Sequence, residues 1–306
     1  MIQIKEVLDF LAKNDIEYIF EGDGEFTFKT FCPLKELKEN SITWVRNVKD
    51  VNVSELNRVS GLVLVAELKE NVQGASFPVV YVENAHRTYF RIVAHFFESQ
   101  DPENRQEGIA ATAVVETTDI GEHLFVGHHT YIGPDVKVGC NVSILNNVTI
   151  QGKVEIGDYT VIESGATIGV CGFGHYLNEE GKPVCVPHFG GVIIGSNVRI
   201  GASSAVARGC LSDTVIEDYV KIDNLCHIAH NVHIKQRAQV IAGAVIGGST
   251  TVEEGVWLAP GSLLNNGINV GENAYFGLGA VAIKDVPGNK VVVGMPAKVL
   301  RDRDEM

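Results

Sequence analysis

Residues 120–168, IGEHLFVGHHTYIGPDVKVGCNVSILNNVTIQGKVEIGDYTVIESGATI, place an Ile or Val at every sixth position. The series runs Ile120, Val126, Ile132, Val138, Ile144, Ile150, Ile156, Ile162, Ile168. It resumes at Ile194, Ile200 and Val206. It then shifts once and continues from Ile216 through Ile222, Ile228, Ile234, Val240, Ile246, Val252, Leu258, Leu264 and Val270 to Phe276. With the aliphatic residue as position one, position two is often glycine, as at Gly121, Gly127, Gly133, Gly139 and Gly157. Positions three and four hold turn formers such as Pro134-Asp135, Asn146-Asn147 and Glu272-Asn273, and position five is small or β-branched, as at Val136, Val142, Val148 and Val154. Position five and the next position one are two residues apart, so both side chains face the same way from a short strand. Each hexad is therefore a strand of about three residues followed by a corner. No rung is stable alone, and stacking buries one continuous aliphatic core. The pattern predicts a β-solenoid.

The rest of the composition narrows the class. The 306 residues are 45% apolar and 21% charged, a soluble globular balance. The net charge of −13 argues against a nucleic acid partner, which needs a basic stripe, while leaving room for a local pocket that holds one nucleotide or one coenzyme. No run of 18 apolar residues occurs, so no membrane span is expected. The start, MIQIKEVLDFLAKNDIEYIF, has helical spacing and lacks the unbroken apolar core of a signal peptide, which points to a cytoplasmic protein. The cysteines Cys32, Cys140, Cys171, Cys185, Cys210 and Cys226 form no CxxC pair, and they read as reduced, mostly buried thiols with no metal site among them.

Two interruptions mark the working parts. Residues 169–193, GVCGFGHYLNEEGKPVCVPHFGGVI, are rich in Gly and Pro with aromatic and His residues interleaved. Such an excursion from a rigid scaffold reads as a substrate loop, with Phe173, His175 and His188 as its candidate contacts. The second is the jog at residues 207–215, ARGCLSDTV. After it comes KIDNLCHIAHNVHI, residues 221–234, where His227 and His233 take position six on the outward face and His230 takes position three on a corner. Histidine suits a general base, because its ordinary pKa lies near 6.5 and a positioned base contributes about 10²–10⁴ in rate. Asp213 is the expected partner of the imidazole. Gly248, 18 residues further on, is expected to leave room for a ligand and to offer its N–H to an oxyanion.

The stacked hexads resemble the hexapeptide-repeat acyltransferases. The segments SDTVIEDYVKIDNLCHIAHNVHI, GFGHYLNEEGKPVCVPHFGGVIIGSNVRIGA, SITWVRNVKD, SGLVLVAE and ENAHRTYFRIVAHFF are similar to the UDP-3-O-acyl-glucosamine N-acyltransferases of lipid A synthesis. The resemblance covers roughly residues 40–283 and implies a left-handed parallel β-helix of three hexads per coil, a homotrimer with sites between neighbouring helices, and His230 of the IAHN motif as the base. It also implies an N-terminal α/β domain that holds the nucleotide. Asn47 matches the family's Asn, Asp50 stands where its Tyr belongs, and Trp44 is the aromatic left for stacking, so UDP and dTDP both stay open. The family's second His, in an NGH-type motif, is Gly267 in the stretch NNGINV. The ending VPGNKVVVGMPAKVLRDRDEM instead resembles sugar N-acetyltransferases that use acetyl-CoA, which assigns Gly279, Lys284, Lys298 and Arg301 to the coenzyme.

These readings divide the chain into residues 1–105, a nucleotide-sugar-binding α/β domain, residues 106–283, the β-helix, and residues 284–306, a coenzyme-side tail. They predict transfer of an acetyl or short 3-hydroxyacyl group from acyl-CoA to the amine of a nucleotide-linked amino deoxysugar for surface glycan synthesis. The acyl-CoA is a co-substrate, and no permanently bound cofactor or metal is expected. One alternative is the lipid A enzyme itself, with acyl carrier protein as donor. The other is a non-catalytic or metal-binding β-helix, since repeats set fold and not chemistry.

Overall fold

A computed structural model of the chain describes residues 1–97, 107–296 and 298–302. The chain divides into two compact units, Met1–Gln100 and Asp101–Met306. The boundary expected between residues 105 and 106 lies outside the described residues.

The first unit is α/β. Its five-stranded sheet runs in the order Tyr18–Glu21, Val79–Val82, Leu62–Glu67, Ser41–Trp44, Thr30–Phe31, parallel except for the first pair. Leu62–Glu67 is buried along its whole length, as its near-continuous apolar run demands of a strand covered on both faces. Alternation divides it between two cores. Val63 and Val65 pack with the helices Ile4–Lys13 and Ala85–Phe96 through Ile4, Val7, Leu11 and Ile92, while Leu62, Leu64 and Ala66 pack with Val45, Leu56 and Phe77. Among the described residues, no helix is long and apolar enough to cross a membrane.

The second unit is the solenoid. Its repeat strands form three parallel sheets, with one antiparallel strand added at the end and a separate two-stranded antiparallel sheet in the long excursion. Partners are 18 residues apart, as in Phe125↔Ser143 and Tyr131↔Thr149, so three hexads make one coil. From Val126 to Phe276 the position-one residues named above are buried, whereas Ile120, at the first coil, is 39% exposed. Position four takes left-handed backbone at corner after corner, from His123 (φ 58°) through Asn141 and Asn147 (φ 57°) to Asn273 (φ 55°). Asn adopts this conformation readily, which explains its frequency there.

Both interruptions leave the solenoid from a single corner. Ile168 pairs with Val206 across the long excursion and Val206 pairs with Ile228 across the jog, and the strand after each of these residues turns the same corner. His230 follows Ile228 on that corner, and Gly248 follows Ile246 one coil later.

Past Lys284 the chain continues the solenoid. Val286 bridges Val270, Lys290–Val293 pairs in parallel with Tyr275–Phe276, and Lys298–Asp302 folds back on Lys290–Val293. The segment expected as a tail thus closes one sheet. Ala297 and residues 303–306 of it lie outside the described residues.

Candidate functional site

At several coils the position-three side chain ties one coil to the next. The Oδ1 atoms of Asn146, Asp158, Asp218, Asn224 and Asn266 accept the N–H of His128, Cys140, Ser196, Ala202 and Gly248, one coil away, at 2.7–3.0 Å. His230 breaks this ladder with an imidazole. The ring is half-buried, and glycines make its space: a Cβ at Gly248 would stand 2.7 Å from His230 Cε1 and Nε2, and one at Gly172 would stand 2.7 Å from His230 Cβ and 2.8 Å from His188 Nε2. Gly172 belongs to the long excursion, so the loop folds back over the corner it left.

Hydrogen bonds settle the tautomers. The N–H of Cys210 donates to Asn231 Oδ1 at 2.9 Å, and Asn231 Nδ2 donates to Ser212 O and Oγ at 2.9 Å. Asn231 therefore turns an oxygen toward His230 Nδ1, 3.1 Å away, and Nδ1 must carry the proton. The lone pair of His230 lies on Nε2, available to a substrate. Likewise His188 Nδ1 donates to the Val186 carbonyl at 2.8 Å, which leaves its Nε2 unprotonated and 3.1 Å from Cys210 Sγ. Cys210 Sγ lies 3.7 Å from His230 Nδ1, and the two His rings meet edge-on with centroids 5.6 Å apart.

Two expectations about this corner are corrected. Asp213 does not hold the imidazole; Asn231 does. The Asp213 carboxylate accepts the Gly191 N–H at 2.6 Å and faces Lys153 Nζ at 3.6 Å, so it serves the inter-coil ladder. The Gly248 N–H is not free for an oxyanion, because Asn266 Oδ1 already accepts it at 3.0 Å, and the room at Gly248 accommodates His230 itself. Asp213→Asn keeps an acceptor for Gly191 and is expected to leave turnover within about threefold, whereas Asp213→Ala loses a hydrogen bond worth about 0.5–3 kcal/mol. Melting curves and steady-state rates check this. A drop of 10² or more in Asp213→Asn would return the aspartate to the imidazole.

The excursion contains a hairpin, His175–Leu177 against Pro183–Cys185. Of its three candidates, His188 reaches the His230 corner. Phe173 is 90% exposed with its ring beside His175, and His175 Nε2 lies 3.3 Å from Cys185 Sγ. His227 is exposed, and His233 Nε2 meets Glu217 at 2.6 Å. The cysteines are less buried than expected: Cys32 and Cys226 are buried, Cys140 and Cys210 are half-buried, and Cys171 and Cys185 are exposed. Sequence spacing missed Cys210, Asn231 and Gly172, because they meet only once the excursion and the jog fold onto one corner. Ligand atoms of His188, Cys210 and His230 all lie within 4.8 Å of one another, the one described group of this kind. Two His and one thiol suit zinc, and a metal held through His230 Nδ1 would displace the proton that this nitrogen shares with Asn231.

In the first unit, Trp44 ends the strand Ser41–Trp44 and Asn47 follows on the exposed turn before residues Val48–Asp50. This is the carboxyl end of a parallel strand, where open α/β sheets bind ligands. The Trp44 ring is half-buried, edge-on to His86 at 4.8 Å. In the second unit, Gly279 sits on an open corner (φ 63°), and Lys284 lines a groove of about 310 Å³ with Ile283, Asp285, Val286, Pro296 and Val299. Lys298 and Arg301 lie on the exposed strand beside it, where Arg301 Nη1 donates to the Asp302 carbonyl at 2.8 Å.

The family described as Bacterial transferase hexapeptide (six repeats) matches residues 135–169. A curated relative, the UDP-3-O-acylglucosamine N-acyltransferase of Caulobacter sp. (strain K31), is 38% identical over 146 residues, 48% of this chain and 43% of that protein. The protein of the same name from Coxiella burnetii (strain RSA 493 / Nine Mile phase I) is 41% identical over 130 residues, 42% of this chain and 38% of that protein. The chain thus matches less than half the length of these relatives. Among solved structures, LpxA from Acinetobacter baumannii superposes with a TM-score of 0.58 at 20% identity, over 63% of this chain and 74% of that one. UDP-N-acetylglucosamine acyltransferase from Campylobacter jejuni gives 0.57 at 21%, over 64% and 75%. The likeness to these structures is one of fold, a left-handed parallel β-helix.

Proposed function

We propose that this protein transfers an acyl group from a thioester to the amine of a nucleotide-linked amino sugar. The observation that carries the reading is His230: an imidazole with a free Nε2, wedged between Gly172 and Gly248 on the corner that the long excursion and the jog both leave. Attack on a thioester carbonyl requires the amine to lose a proton, and a neutral imidazole of fixed tautomer is suited to take it.

The names of the curated relatives favour UDP-3-O-acylglucosamine as acceptor over an amino deoxysugar on UDP or dTDP. Trp44 and Asn47 are the residues we assign to the nucleotide, and a homotrimer is the assembly that would bring a neighbour's surface against the His230 corner. For the donor, one observation favours acyl-CoA over acyl carrier protein: the groove at Lys284, bordered by the strand that carries Lys298 and Arg301, offers cations to phosphates beside apolar wall. A cytoplasmic site for the reaction is part of this proposal.

The test is direct. Purified protein is incubated with UDP-linked 3-O-acylglucosamine or with UDP- and dTDP-linked amino deoxysugars, each with matched acyl groups on CoA and on acyl carrier protein, and the amide is read by mass. Amide from the 3-O-acylated sugar and acyl carrier protein alone selects the relatives' reaction. Amide from acyl-CoA selects the coenzyme reading. No amide from any pair sinks both.

A further inference from the structure

We propose that His188, Cys210 and His230 form a zinc site, and that zinc bound there switches the acyl-transfer corner off. The three side chains come from the excursion, the jog and the coil after it. All three are half-buried, and their ligand atoms lie within 4.8 Å of one another. The site stands on this geometry alone, while its inhibitory effect rests on the acyl-transfer reading above.

The distances suit one ion. Zinc–sulfur bonds of about 2.3 Å and zinc–nitrogen bonds of about 2.0–2.1 Å, at tetrahedral angles, set sulfur and nitrogen about 3.6 Å apart. Cys210 Sγ lies 3.1 Å from His188 Nε2 and 3.7 Å from His230 Nδ1. Two imidazoles and a thiol favour zinc over magnesium or calcium, which take oxygen ligands. One ligand is already aimed by an outer partner. The Val186 carbonyl accepts His188 Nδ1–H at 2.8 Å, which turns the Nε2 lone pair toward the sulfur, and a backbone carbonyl commonly orients metal-bound histidines in this way. The sulfur's backbone is held from both sides. Asn231 accepts the Cys210 N–H at 2.9 Å, and the Cys210 carbonyl accepts the N–H of Phe189 at 2.7 Å and of Gly190 at 3.1 Å. Gly172 keeps the space between the imidazoles clear, since a Cβ there would stand 2.8 Å from His188 Nε2 and 2.7 Å from His230 Cβ. A thiol has one proton to give, and His188 Nε2 accounts for it. A second imidazole nitrogen beside the same sulfur goes beyond what that hydrogen bond requires.

Binding silences the base by moving one proton. A neutral imidazole has a single lone pair, and in His230 it lies on Nε2, because Asn231 Oδ1 fixes the proton on Nδ1. Zinc on Nδ1 takes the lone pair of that nitrogen, so the ring carries its proton on Nε2, where the amine proton would have gone. The Cys210 thiol gives its proton to solvent and binds as thiolate. One proton leaves per ion bound, and the imidazole keeps one. Three protein ligands leave the fourth position to water. Cysteine spacing gives no sign of the site, because its ligands meet only when the excursion and the jog fold onto one corner.

The experiment uses the full chain, freed of metal by a chelator and titrated with Zn²⁺ and, for spectroscopy, with Co²⁺. One ion per chain is expected, and the cobalt form is expected to show a sulfur-to-metal charge-transfer band and the strong visible bands of a four-coordinate ion. Cys210→Ala and His188→Gln are expected to bind at least about 10²-fold more weakly, and Cys210→Ala to lose the charge-transfer band. Cys210→Ser, which also lacks the thiolate, provides a second variant should alanine disturb the corner. In the amide assay above, zinc sufficient to saturate the wild type is expected to lower its rate by about 10² or more, reversed by chelator, and to leave Cys210→Ala at the rate of the metal-free wild type. A wild type that binds no ion, or a cobalt spectrum that Cys210→Ala leaves unchanged, overturns the site. Zinc that inhibits both chains alike, or that raises the rate, overturns the switch. If no thioester yields amide, the acyl-transfer reading fails and takes the inhibition with it, while the metal titration still decides the site.

Discussion

His230→Ala is expected to lower kcat/KM for amide formation by about 10²–10⁴ while the melting temperature stays within a few degrees. The rate loss follows from removing the base, because nothing else at the corner offers a fixed lone pair to an amine. His188 Nε2 is directed at Cys210, and Asn231 and Asp213 are bonded into the coils. The mild effect on stability follows from where the ring sits. His230 is half-buried, outside the aliphatic column, and the core residues on either side, Ile228 and Val232, are untouched. Asn231 keeps its bonds to Cys210 and Ser212 when the ring is gone. Steady-state rates beside thermal melts check both halves. A variant that keeps its rate would leave the imidazole a structural ornament, and one that unfolds would make it part of the ladder it interrupts.

Gly248→Ala is expected to cost about 10² in kcat/KM without removing any polar group. The backbone at Gly248 does not lie in the left-handed region, so alanine brings no backbone strain, and the N–H stays bonded to Asn266. What changes is space. The new methyl would lie 2.7 Å from His230 Cε1 and Nε2, inside any tolerable contact, and the ring must move. A base displaced by about 1 Å can lose about 10² in rate. Overpacking of this kind typically costs about 1–3 kcal/mol when the core must absorb it, and less here because the ring can swing toward solvent. If Gly248→Ala turned over normally, the glycine would not be a spacer for the imidazole. A crystal structure of the variant would show whether the His230 side chain had rotated.

The two variants read different properties of one site, its chemistry and its position. Asp213→Asn, placed on the same corner, separates them from general damage to the coils, because its expected effect is small.

How legible the protein is in its residues depends on the range of the interactions involved. The solenoid is written in local periodicity: one aliphatic residue in six, a β-branched or small residue two before it, and a turn former between. From Val126 on, these position-one side chains are buried as the period requires. The corner location of His230 follows from the same count. Asp213 and Gly248 were placed in the right neighbourhood by that count but in the wrong roles. Counting says which residues stack, and does not say which hydrogen bonds they have already made. The Gly191 N–H captures Asp213 and Asn266 captures Gly248, and both bonds belong to a ladder that appears only when coils lie on one another.

The amino-acid sequence by itself determined the repeat of six, its two interruptions and the placing of His230 on a corner, while the coil of three hexads and the α/β first unit came with the family resemblance. The repeat, its interruptions and the corner depend on the spacing of apolar and turn-forming residues along the chain, which is a one-dimensional property. Tertiary structure alone decided that the long excursion and the short jog leave from the same corner, that Asn231 sets the tautomer of His230, and that His188 and Cys210 come to face each other. Those residues are joined across irregular segments with no period to count, and only the closed backbone, with each N–H seeking an acceptor, brings their side chains within a few ångströms.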